Sequence, residues 1–235
     1  MLTAPIAATA VADNPGYDRP GIGFAPAVLG AGELIWEQGM PDWSRSGDES
    51  LYAADTLLRI GAGGPFELQL GTSWNQLHHA GDTVRGRGGS SLGLKFALPA
   101  TEKFSWGLLG NVGFTDGADA FANAHRQYQL GAAFNWVVNT RSALGAYLET
   151  TRSGNHEAHL LALNAGSSLS DAWAGYAEVV LQRAATGDTG SMAGAGLTWQ
   201  VSPRVQLDAS FRRRLGGVTD HWQAGLGVAV FFGHQ

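Results

Sequence analysis

The sequence predicts an all-β fold, a transmembrane, antiparallel, up-and-down β-barrel of about twelve strands over residues 30–235, and three observations predict it. First, the stretch from Phe66 to Trp74 alternates strictly. Phe66, Leu68, Leu70, Thr72 and Trp74 fall on one face, and Glu67, Gln69, Gly71 and Ser73 on the other, the period of a strand with one apolar side. Its length is close to the roughly 9 to 11 tilted residues that cross a bilayer, with an aromatic at each end of the apolar face. Second, the 235 residues include 34 glycines, only 15% are charged, and the 44% that are apolar are scattered. No run approaches the roughly 18 apolar residues of a membrane helix, and only a closed barrel otherwise satisfies its own backbone in lipid. Third, short and long connections alternate along the chain, as turns and loops do in outer-membrane barrels.

Composition bounds the rest. Cysteine is absent, so neither disulfides nor thiolate-bound metals hold the fold. The net charge of −5 gives no reason to expect nucleic acid as a partner. The sequence points to no cofactor.

Residues 2–12 are small and apolar and end in Ala10-Val11-Ala12, an A-x-A arrangement of the kind cleaved from signal peptides. Residues 1–12 therefore read as a signal-peptide remnant, or alternatively as a disordered Ala-rich tail. Residues 13–29 carry Pro15, Pro20 and Pro26 with Gly16, Gly21 and Gly23, which predicts an irregular segment before the first strand. Such a segment can enter the lumen as a partial plug.

The strands follow in order. The first, near 30–41, opposes Leu34 and Trp36 to Glu33 and Glu37; the second, near 54–61, opposes Thr56, Leu58 and Ile60 to Asp55 and Arg59. The third is the Phe66 stretch. The fourth, near 90–98, sets Leu92, Leu94, Phe96 and Leu98 against Ser91, Gly93 and Lys95. The fifth carries Phe104, Trp106, Leu108, Val112 and Phe114, and the sixth Tyr128, Leu130, Phe134 and Trp136. Segments near 141–151, 157–168 and 172–183 are rich in helix formers, yet an even strand count requires them as strands. Full alternation returns in Ala195 to Val201, Val205 to Phe211 and Trp222 to Phe232.

Connections near 61–65, 99–103, 138–141, 168–172 and 201–204 are short. Those near 42–53, 78–89, 115–126, 152–157, 184–190 and 215–220 are expected to be the longer loops. An even strand count puts both termini on the periplasmic side. Phe66, Phe96, Phe104, Trp106, Trp136, Trp199 and Phe232 then lie beside short turns, and Trp74, Phe114, Tyr128, Phe211 and Trp222 beside long loops. These are two interfacial girdles; a soluble sandwich or lipocalin-like barrel has no reason to build them. The last strand, WQAGLGVAVFF, looks like the C-terminal signal presented to the barrel-assembly machinery, although Gly233, His234 and Gln235 follow it.

DRPGIGFAPAVLGAGELIWEQG at 18–39, LLRIGAGGPFELQL at 57–70 and SLGLKFAL at 91–98 resemble the family of outer-membrane proteins of the MetA pathway of phenol degradation. The likeness is specific over about the first hundred residues and one of length and pattern thereafter. It implies an outer-membrane β-barrel with a transport role and leaves the substrate unstated; the function expected of the chain is a channel for uptake of small compounds, aromatic or hydrophobic ones among them. A closed structural or surface-interaction barrel is the alternative, and an outer-membrane hydrolase a further one.

The polar face predicts the lumen-lining residues: Glu37, Arg59, Glu67, Lys95, Glu149, Glu178, Asp208, Arg212 and Arg214. Either they select solutes by sign and size, or they pair into a network that fills a narrow lumen. Arg59 and Glu67 flank a short turn at matching parity and are expected to be direct cross-strand partners. Near the long-loop end stand Arg45, Arg85, Arg87, Arg126, Arg152, Arg183 and Arg213, where lipopolysaccharide phosphates would accept bidentate arginine contacts; solubilising loop charge is the other reading. His78, His79, His125, His156 and His221 stand at the same end with His159 close by, but the adjacent His78 and His79 point to opposite faces of a strand, so no metal site is expected. Serine and histidine are available for a hydrolase, for example Ser73 with His78, but no recognisable motif surrounds them.

Overall fold

The computed structural model describes residues 16–101 and 103–233; residues 1–15, with the expected cleavage region, and Glu102, His234 and Gln235 lie outside these. Among the described residues there are thirteen strands and no helix. They are β1 (Leu34–Ser46), β2 (Glu49–Gly63), β3 (Phe66–His79), β4 (Asp82–Arg87), β5 (Ser91–Ala97), β6 (Phe104–Gly113) and β7 (Gln127–Val137). β8 (Ser142–Ser153), β9 (His156–Ser168), β10 (Trp173–Arg183), β11 (Thr189–Ser202), β12 (Val205–Gly217) and β13 (Trp222–Phe232) follow. The helix-forming composition of 141–183 yields to the sheet: a helix there would leave both neighbouring strands with unpaired backbone in lipid.

The sheet closes on itself. β1 pairs with β2 on one side and with β13 on the other, from Leu34 opposite Phe232 to Arg45 opposite Trp222. β3 holds two partners on its far edge. Phe66–Gly71 pairs with β5, and Trp74–His79 with β4. β4 and β5 are thus two parts of one stave interrupted at residues 88–90, so thirteen strands make the expected twelve staves.

The connections differ from expectation at the long-loop end. Residues 42–53 and 78–89 were expected to be loops, but β1 and β2 run on to a turn at 47–48, and β3 and β4 to a turn at 80–81. These hairpin extensions are mostly polar, and their few apolar residues are split between the faces, Trp43 and Tyr52 on one and Leu51, Leu77 and Val84 on the other, so they carry no clear hydropathy alternation. Among the described residues only 114–126 is a long irregular loop there.

Side chains sort by phase. Leu68, Leu70, Leu92, Leu94, Leu130 and Leu163 point outward and are 40–63% exposed, while the alternating inward positions hold the charged residues and glycines. So broad an exposed apolar band suits lipid and not water. At the short-turn rim, Phe66 meets Phe96, Phe96 meets Trp106, and Trp173 stacks on Trp199 at 5.4 Å. At the other rim Phe211 stacks near Trp222, and Trp43 sits edge-on to Tyr52. Trp43 and Tyr52 join this girdle because the first hairpin is longer than its hydropathy indicates. An arginine in the middle of the band should be costly: Leu163→Arg is expected to lose about 2–4 kcal/mol of folding free energy, read from denaturant titration of the barrel in vesicles.

Candidate functional site

The lumen is shaped by the stretch that precedes β1. Residues 16–29 touch inward-facing side chains of β1, β2, β3, β5, β8, β10 and β12, strands from all round the ring, and so run inside the barrel. Two glycines permit that course. Gly23 has φ of 104° and packs against the Tyr147 ring, where a Cβ would collide. Gly61 lies against the carbonyl of Gly30, leaving no room for any side chain, while its N–H and C=O bond to Glu33 and Gly32.

Arg59 is the hub of the ionic half. Its Nε and Nη2 donate to Glu67 at 2.8 and 3.0 Å, and its Nη1 to Glu37 at 3.1 Å and to the Gly16 carbonyl at 2.8 Å. Asp18 lies 3.3 Å from the same Nη1 and accepts from Lys95 Nζ at 3.0 Å. Arg59, Glu67 and Lys95 have no exposed surface. Glu37 also accepts the backbone N–H groups of Asp18 and Arg19, and Glu67 that of Leu29. The carboxylates therefore satisfy both the guanidinium and the irregular backbone, which is what makes buried charge tolerable. Arg59 and Glu67 are not directly opposite, contrary to expectation. Arg59 faces Gln69, and Glu67 faces Gly61, because the turn is centred one residue later than symmetry about Gly63 implies. The bond is a diagonal one, within reach of these long side chains.

Two further clasps hold the segment. Arg19 bonds both oxygens of Asp42 at 2.9 and 3.1 Å and both of Asp208 at 3.3 Å. Arg212 bonds Glu178 at 2.6 Å and the Pro20 carbonyl at 2.8 Å, and Tyr176 donates to that same carbonyl. Opposite the ionic half, Phe24 stands edge-on to Tyr147 within a cluster of Leu109, Ala133, Ala162, Val180 and Met192.

Of the nine expected lumen residues, seven thus surround the segment. Glu149 stands apart, accepting from Tyr147 and Gln129 at 2.6 Å each. Arg214 is exposed near the loop end, its N–H bonded to the His221 carbonyl. Sequence reasoning missed Asp18, Arg19, Asp42, Tyr147 and Tyr176. Asp18 and Arg19 were visible only as part of the DRPG motif, and a register shift between Gly39 and Asp42 turns Asp42 inward against simple alternation.

All seven loop-end arginines are exposed. Arg45 and Arg152 bond turn carbonyls, Arg85 bonds Gln76, and Arg126 lies over the Phe114 ring. Arg183 and Arg213 have no carboxylate within ion-pair reach among the described residues. Ser73 and His78 have opposite phase on β3, so they cannot form a nucleophile and base; His78 bonds Gln76 and Thr83 instead.

Loop 114–126 folds over the break between β4 and β5. Asp116 accepts the Ser90 N–H at 2.8 Å and its hydroxyl at 2.7 Å, with Arg87 beside it. The Ser90 N–H, then the hydroxyl, hold the Asp116 carboxyl down at about 2, below its ordinary 3.8.

The family described as "Putative MetA-pathway of phenol degradation" matches residues 17–232. The chain belongs to that family. No curated protein matches it in sequence. In fold it is similar to an outer membrane channel from Pseudomonas putida F1, with a TM-score of 0.71 at 13% identity over 91% of this chain and 99% of that one. The KdgM porin in complex with disordered oligogalacturonate gives 0.62 at 10% identity over 86% and 99%, and the NanC porin 0.59 at 9% over 84% and 98%. At such identities the likeness is one of fold: family and porins share a closed outer-membrane-type barrel.

Two outcomes follow from this geometry. Arg59→Ala leaves Glu37 buried without its cation and Glu67 with Lys95 alone, 3.8 Å away, and the expected loss is about 3–5 kcal/mol, measured by thermal unfolding, with new protease cleavage within residues 16–33. In the Asp116 clasp the folded carboxyl is the stronger acid, so its stabilisation is present above about pH 4 and is lost as pH falls towards 2. Carboxyl NMR should place the Asp116 midpoint at about 2, rising towards the ordinary value in Ser90→Ala.

Proposed function

We propose that the barrel is an outer-membrane channel for uptake of small aromatic or hydrophobic compounds, narrowed by its N-terminal segment. The observation that carries this reading is that the segment fills only part of the lumen. Beside it a cavity of about 550 Å³ reaches Asn164, Tyr176, Thr198 and Gln206 at the short-turn end. Another of about 470 Å³ lies against Phe24, Asn135 and Tyr147, and one of about 250 Å³ nearer the loops is bounded by Asn111, Gln129 and Glu149. Aromatic walls with a few amides and hydroxyls suit largely apolar solutes. The family's description, phenol degradation, and the fold shared with the Pseudomonas channel support the same reading.

In this proposal both termini are periplasmic, since β1 begins and β13 ends at the short-turn rim. The loop-end arginines meet lipopolysaccharide, and the assembly machinery reads the final strand through outward-facing Phe232. We assign the chain no catalytic role, cofactor, metal or nucleic-acid partner.

The bore's charge sets its selectivity. Asp42 and Asp208 share one cation, Arg19, while Asp55 and Glu149 have no cation in ion-pair reach among the described residues. An acid-lined path disfavours anions. In planar bilayers the intact protein is expected to conduct with cation preference, a chain lacking residues 13–29 to conduct several-fold more, and Asp55→Asn with Glu149→Gln to weaken the preference. If neither the intact nor the shortened protein conducts or speeds solute uptake, the transport reading fails in favour of a closed surface barrel.

A further inference from the structure

The lipid-facing wall carries a groove that the bore does not use. Thr150 on β8, His159 on β9, Arg183 on β10 and Thr189 on β11 stand in register as one rung across four strands. Leu148, Leu161 and Leu181 form the next rung towards the membrane centre on β8 to β10. Both rungs point outward, in phase with exposed Leu163 and Val179 and out of phase with buried Ala162 and Val180. Together they line a concavity of about 860 Å³, the size of a small-molecule site. Small Ser191 and Gly216 bound it towards β12.

Thr150 Oγ1 lies 3.0 Å from His159 Nδ1, which fixes that ring beside Arg183. Arg183 itself has no carboxylate within reach among the described residues. A guanidinium facing the membrane at the edge of an apolar band needs an anion or headgroup water, and its planar fork suits phosphate oxygens.

The geometry points to a lipid site: a phosphorylated headgroup on Arg183 and His159, with an acyl chain lying along Leu148, Leu161 and Leu181. Its occupant is the lipid A part of lipopolysaccharide. Arg183 ends β10 at the long-loop rim, which the orientation proposed above places in the outer leaflet. The site rests on that orientation and not on conduction, so a barrel that fails to conduct can still hold lipid A, and one that conducts need not.

Native mass spectrometry of the full chain in detergent tests this with bisphosphorylated lipid A, dephosphorylated lipid A and phosphatidylglycerol. Retarded migration of unheated protein in gels checks folding. The expected result is a one-to-one adduct with bisphosphorylated lipid A that weakens at least tenfold on removal of its phosphates, in Arg183→Ala with His159→Ala, and in Leu161→Trp. The last variant fills the groove with the charges intact. Arg141→Ala, at the opposite rim, should bind as the parent does. No adduct with the folded parent protein, undiminished binding by the variants, or phosphatidylglycerol bound as tightly as lipid A would each overturn the assignment.

Discussion

Closure of the backbone hydrogen-bond ring is the constraint on which everything else in this molecule depends. Hydrocarbon offers no partner to an N–H or C=O, so β1 must find β13, and every stave between them must be extended. That requirement overrides local preference in β8 to β10, where helix-forming sequence is held as strand. It also fixes phase: once Glu37 and Arg59 face inward, every second residue round the ring is committed to the same side.

The inward commitment creates the second problem, a lumen with buried charge. The solution uses irregular backbone as well as side chains. Glu37 and Glu67 each serve a guanidinium and the N–H groups of the entering segment, so the segment and the charges stabilise one another. The opposite half, around Phe24 and Tyr147, is filled by apolar contact. A lumen divided this way leaves its open volume at the boundary between the two halves, where the cavities touch both aromatic rings and amides.

Much of this was legible in the sequence. Staves were readable wherever one face meets lipid and the other the lumen, as in Phe66 to Trp74, because two different solvents impose the alternation. The hairpin extensions beyond Met40 and Asn75 were not, since their few apolar residues are split between the two faces. Inward charges on unbroken strands, such as Glu37, Lys95 and Glu178, could be placed by parity. Asp42 could not, because a register shift precedes it. Arg19 could not either, since its partners lie on β1 and β12 and nothing in a local window connects residue 19 with residue 208.

The reach of Arg19 has a consequence for the order of assembly. Its contact with Asp208 spans 189 residues, so it ties the entry of the chain to the next-to-last strand and needs β12 in place. Contacts so distant in sequence are costly to make early, because the intervening chain is still free. The clasp of the entering segment to β12 is therefore expected to close later than its contacts with β1, β2 and β3, which lie far nearer in sequence.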